Sequence, residues 1–213
     1  MRNVLIAVVD SVGPDSPIAL YHQLRCLTDY QADAECQLQV ERLPCAFKDS
    51  LTVLEQLINQ HKPSHLMLLS QCSSQVDIRV EKVALNINDA KQNDNINQQP
   101  RDTLTAQHGP AAYFSNLPVN AITDKLRSNN LPVQLSYNAG TFVANHLFYG
   151  LMHYIKHQNI SLHGGLLQFP LLPQQACLQP GTASISIDVI LNAVKLAADV
   201  CLAHSDNMLR STS

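Results

Sequence analysis

Six consecutive apolar residues, Val4 to Val9, constrain the fold more than any other feature of the chain. A strand with one face in water alternates apolar and polar side chains, so an unbroken run of this length suits a strand covered on both faces. Covering both faces takes two layers of helix, and the rest of the sequence supplies the patterns for them. Ser16 and Pro17 read as an N-cap and a first-turn proline ahead of a helix through Leu20, Leu24 and Leu27. Cys36 to Val40 alternates as a half-buried strand does, and Asp49 is placed to cap a helix with Leu51, Leu54 and Ile58 on one face. His65 to Leu69 reads as a second fully buried strand, followed by the polar loop Ser70 to Gln75, a common position for a site. A helix around Val119 to Arg127, a strand Val133 to Tyr137, a helix ending near Gln158, a strand Leu166 to Phe169 and a closing helix through Ile185 to Leu202 continue the alternation. The pattern predicts an α/β sheet covered by helices.

The chain has 213 residues, 46% of them apolar, which suits one sizeable core and a single domain over residues 1–213. Its formal charge of −3 comes without charge runs, so there is no basic stripe for nucleic acid and no polybasic patch for a membrane surface. The run Val4 to Val9 is too short for a signal-peptide core or a membrane span, and a cytoplasmic location is expected. The six cysteines contain no C-x-x-C pair; most are expected to be reduced and buried as small hydrophobes, with Cys72, in the polar loop, the one to watch.

Three further stretches bear on a site. The apolar residues alternate at Ile78 and Val80, then resume one step out of phase at Val83, Leu85 and Ile87, which predicts a bulge or bend turning Glu81 out of its row. Asp89 to Gln107 is rich in Asn, Gln and Asp without a period and reads as a long surface loop. Finally, Tyr137 to His146 passes from a strand through Gly140 into a helix. A cysteine at such a helix start is activated by the dipole and the free N–H groups, but this chain has Ala144 there.

Val80-Glu81-Lys82-Val83-Ala84-Leu85-Asn86, Tyr113 to Pro118, Asn138 to Val143, Asn145 to Tyr149, Phe169 to Gln175 and Ser184 to Ile187 together resemble, in order and in spacing, pyroglutamyl peptidase I. That family of cysteine peptidases removes N-terminal pyroglutamate. The likeness is dense from about Ile78 to Lys195 and thin before it. It implies a single α/β/α sandwich with a mostly parallel, twisted central sheet and assembly as a homodimer or homotetramer; no cofactor and no metal are expected. It also implies a catalytic glutamate, cysteine and histidine. The glutamate falls on Glu81, the cysteine on Ala144 and the histidine on Gln168. A methyl group cannot attack a carbonyl, and a glutamine amide has no useful basicity.

The departures continue around the implied pocket. Where the family has two phenylalanines enclosing the substrate's lactam ring, this chain has Val9 and Val12, apolar but without an aromatic plane. Its Gly-Gly-Arg loop reads Ser73-Ser74-Gln75, so the site arginine is absent; Gln71 and Phe142 complete the substrate-binding positions. Four coordinated losses around one pocket suggest a natural relative that no longer needs the chemistry. The resulting expectation is a non-catalytic protein binding a small molecule or a peptide, against the alternative of an active peptidase or hydrolase. Cys72 as a relocated nucleophile has no base near it in sequence. His153 and His157 match a two-histidine metal face in spacing alone, and surface or subunit-contact histidines are the simpler reading; His146 reads as structural.

Overall fold

The structure, a computed structural model, describes residues 2–12, 19–30 and 36–211; the cap expected at Ser16 and Pro17 lies outside them. The apolar run forms strand β1 (Arg2–Val9). After it come helix α1 (Ala19–Leu24), continuing as a 3₁₀ turn over Arg25–Asp29, then β2 (Cys36–Leu43), α2 (Ser50–His61) and β3 (His65–Gln71). The middle of the chain gives β4 (Ile78–Glu81), β5 (Val83–Leu85), β6 (Ala112–Phe114) and α3 (Val119–Ser128). Then follow β7 (Val133–Ser136), α4 (Val143–Gln158), β8 (His163–Phe169), the short α5 (Pro173–Ala176) and α6 (Ile187–Ser211).

Six strands form one sheet in the order β2-β1-β3-β8-β4-β7. Neighbours run parallel except β4, which is antiparallel to β8. Alternate residues of β1 serve two separate cores. Val4, Ile6 and Val8 pack with Leu24 of α1, Ile122 of α3 and Val194 of α6, while Leu5, Ala7 and Val9 pack with Leu54 of α2 and Leu147 of α4. Helices on both faces are the reason the run is unbroken, with Val4 to Ala7 fully buried. The fold is therefore the α/β/α sandwich that the sequence implied.

Local expectations need four corrections. The phase slip after Val80 does not turn Glu81 out of its row: Glu81 stays in β4 opposite Leu166, and the break follows it, where the chain leaves the large sheet so that β5 can pair with β6. Ser70 and Gln71 belong to the end of β3 and not to the loop. Asp49 stands at the start of α2 without a side-chain capping bond. Of the cysteines, Cys45 and Cys201 are buried but Cys26 and Cys177 are exposed.

The stretch from Asp89 to Gln107 is held by its own polar groups. The buried Asp94 accepts from the N–H groups of Phe47 at 2.8 Å, Ile96 at 2.9 Å and Gln98 at 2.8 Å, and Asn88 bridges to Thr103. These bonds replace the regular structure that its composition disfavours.

Candidate functional site

The strand register brings the site together. Ser70 of β3 is paired with Gln168 of β8, and Gln168 with Arg79 of β4, so the three form a row across adjacent strands. Leu66, Leu68 and Leu166 belong to the core beneath α2 and α4. Because side chains alternate with period two, Ser70 and Gln168 face that side as well. Ile78 and Val80 belong to the opposite core, which puts Arg79 and Glu81 on the α4 side.

The height of the row relative to α4 follows from one contact. A Cβ on Gly164 would meet Leu151 and Ile155, so the start of β8 lies against the later turns of α4. Four strand residues further on is about 13 Å, the length of roughly nine helical residues. Gln168 therefore lies towards the first turn of α4, the turn that carries Ala144.

That first turn is open. Phe142 occupies the N-cap without a side-chain capping bond, and the first helical bond runs from the His146 N–H to the Phe142 carbonyl at 3.0 Å. Among the described residues nothing accepts from the N–H groups of Val143, Ala144 and Asn145. The turn is anchored from the side: Asn145 accepts from the Leu85 N–H at 3.0 Å and donates to the carbonyls of Leu85 and Ile87. Phe142 meets Phe47 edge to face, ring centroids 5.4 Å apart.

Glu81 is completely buried, and neither carboxyl oxygen completes a hydrogen bond of good geometry. Burial raises its pKa; the Ser136 hydroxyl, the Arg79 charge and the Asn138 N–H lie near enough to pull the other way, with smaller effect. The Ser70 hydroxyl, the Gln75 side-chain oxygen and the Arg79 Nε are likewise buried without partners. Gln168 is 4% exposed and makes no side-chain hydrogen bond among the described residues.

The remaining sequence candidates lie as follows. Val9 is buried in the core beneath α4, and Val12 is 37% exposed. Gln71 forms a reciprocal amide pair with Gln175, donating at 2.7 Å and accepting at 3.1 Å, and also accepts from Ser11. Cys72 contacts the Ser74 hydroxyl at 3.1 Å, with no base bonded to it among the described residues. His146 is buried; its Nδ1 lies 3.0 Å from Asn88 Oδ1, which assigns that nitrogen the proton, and burial lowers its pKa to about 4. His153 bonds the Tyr113 hydroxyl at 3.0 Å and borders a groove of about 320 Å³ between α2 and α4, well away from Ala144. No group of three or more potential metal ligands occurs among the described residues.

Sequence reasoning missed Arg79 and Ser70. Arg79 had a legible signal, a charge alternating with two buried residues on a strand; Ser70 was marked only as the start of the polar loop, and the register alone places it beside Gln168.

An α/β sandwich with a polar row under an open helix start, reached from the ends of several strands, defines a class of proteins that bind or process a small group at that point. A profile of one family, Pyroglutamyl peptidase, matches residues 19–204. The chain is 37% identical over 200 residues to the pyrrolidone-carboxylate peptidase of Bacillus cereus strain Q1, covering 94% of this chain and 93% of the relative. It is 35% identical to pyrrolidone-carboxylate peptidase 1 of Ralstonia nicotianae, covering 98% and 96%. Among solved structures it is similar to pyroglutamyl peptidase I of Bacillus amyloliquefaciens, with TM-score 0.88, 34% identity and 94% of each chain covered. It is also similar to the pyrrolidone carboxyl peptidase of Thermococcus litoralis, with TM-score 0.88, 30% identity, and 97% and 96% covered. The chain belongs to the pyroglutamyl peptidase family.

Proposed function

We propose that this chain is a non-catalytic member of its family, a cytoplasmic binding or regulatory protein that works through the altered pocket as a homodimer or homotetramer. One observation carries the reading: Ala144 on the first turn of α4 and Gln168 beneath it hold the positions where the family resemblance puts nucleophile and base. Removing one member of a nucleophilic triad costs roughly four to six orders of magnitude in turnover, and here two are replaced. Glu81 alone has no basic ring to orient. The altered ring clamp at Val9 and Val12, and Gln75 in the loop after β3, support the same reading.

The test is incubation with a fluorogenic pyroglutamyl substrate, comparing the wild-type chain with Glu81→Ala. No release above buffer in either is expected. Turnover by the wild type that is abolished by Glu81→Ala would establish the alternative, an active hydrolase working through other groups.

A further inference from the structure

A stack of rings runs along the later turns of α4, away from Ala144. Tyr149 and His153 lie nearly parallel, with centroids 5.9 Å apart and 18° between their planes, and His153 meets His157 at 4.1 Å. The two histidines are four residues apart, so successive turns carry them on one face of the helix. Spacing of that kind does not make a site; the surroundings of each ring do. His153 Nδ1 lies 3.0 Å from the Tyr113 hydroxyl, and the Tyr113 ring stands edge-on at 5.8 Å. Held by Tyr113 and by Tyr149, this imidazole has one orientation, and its Nε2 is unbonded among the described residues. His157 is exposed and makes no hydrogen bond among them. Both rings border the groove of about 320 Å³ between α2 and α4, which Glu55 of α2 also lines without an ion pair among the described residues.

We propose that His153 and His157 chelate one divalent transition-metal ion, of the zinc or nickel type, at the edge of this groove. Neutral imidazole nitrogens suit such ions. A ligating imidazole characteristically gives its other ring N–H to an oxygen, which fixes its tautomer and direction. The Tyr113 hydroxyl holds that place for His153: with Nδ1–H donated to it, Nε2 keeps the lone pair that a metal needs. Two nitrogens at zinc-ligand distance from one ion stand about 3 Å apart, which rings this close attain by rotation of the exposed His157 side chain. No third His, Cys, Asp or Glu joins them among the described residues, so the other coordination positions are open to water, unlike those of a closed structural site. Glu55 contributes negative charge to the groove and no bond to the ion. The site is separate from the start of α4 and stands whether or not the chain catalyses a reaction there.

The test is titration calorimetry of the untagged full chain with nickel chloride, after alkylation with iodoacetamide so that exposed thiols such as Cys26 and Cys177 do not compete for the ion. One ion per chain is expected. His157→Ala, at an exposed position that the fold does not depend on, is expected to weaken binding at least about tenfold, and Tyr113→Phe, which removes only the orienting hydroxyl, by about tenfold. Glu55→Gln should cost less than about threefold, as for an exposed charge that makes no bond. His204→Ala, on the exposed side of α6, should change nothing. No binding by the wild-type chain, unchanged affinity in His157→Ala, or an equal loss in His204→Ala overturns the chelate. One ion per two chains overturns a site built within a single chain, and full affinity in Tyr113→Phe overturns the positioning role of Tyr113.

Discussion

Glu81 shows how one position changes meaning when its neighbours do. In a working triad a buried carboxylate orients a histidine; here it lies in the sheet opposite Leu166 and, among the described residues, completes no hydrogen bond of good geometry. Its pKa is raised in the folded chain, so the folded state holds the proton more tightly than the unfolded state. This contribution to stability is fully present below the ordinary carboxyl value of 4.5 and is lost as pH rises through the folded value. Glu81→Gln removes the ionisation and nearly keeps the shape. The variant is expected to melt at a higher temperature than wild type near pH 8, with the gain shrinking towards pH 4, in thermal denaturation followed by circular dichroism. A variant that melts lower at every pH would show that the carboxylate is charged and compensated. At this scale the sequence states in one letter each that residue 144 carries no thiol and residue 168 no imidazole. It marked Arg79 only as a charge alternating with two buried residues; that Arg79 pairs with Gln168 depends on the neighbouring strand.

At the scale of elements, the start of α4 is positioned by polar side chains that a pattern of apolar residues does not reveal. Asn145 clamps it to β5, and His146 joins it to the long loop through Asn88, whose side-chain oxygen also accepts from Thr105 at 3.0 Å. The loop reads as featureless in sequence because its order comes from such bonds and from the buried Asp94, without any period. His146 makes this junction acid-sensitive. Its folded pKa of about 4 lies below the ordinary 6.5, so its neutral form stabilises the fold above pH 6.5, and that stability is lost as pH falls towards 4. The full effect is about 3 kcal/mol on the linkage scale. His146→Gln should flatten the acid limb of the stability curve between those values in urea titrations at several pH values; an unchanged limb would assign acid sensitivity elsewhere. The same scale explains the phase slip after Glu81. Periodicity detected the interruption, but whether a strand bulges or changes sheets is decided by the pairing of β5 with β6, residues 83–85 with residues 112–114.

For the whole molecule, family membership rests on parts of the chain other than positions 144 and 168. The fold is held by two cores that share the central strands, and neither core depends on a thiol at residue 144 or an imidazole at residue 168. Restoring both, in the double variant Ala144→Cys with Gln168→His, is expected to leave pyroglutamyl substrate turnover at least about a hundredfold below that of the Bacillus amyloliquefaciens enzyme, since a correctly placed nucleophile still needs a correctly placed substrate. Val9, Val12 and Gln75 stay as they are in that variant, and Arg79 still pairs with residue 168 across the strands. Turnover comparable with that enzyme would mean that the pocket never diverged. By itself the sequence determined the alternation of strands and helices, the doubly covered β1 and the side chains available at positions 144 and 168, because burial and chemistry are written residue by residue. Only the tertiary structure decided that Ser70, Gln168 and Arg79 share one row beneath an uncapped helix, because register between strands distant in sequence is set by the packing of the whole sheet.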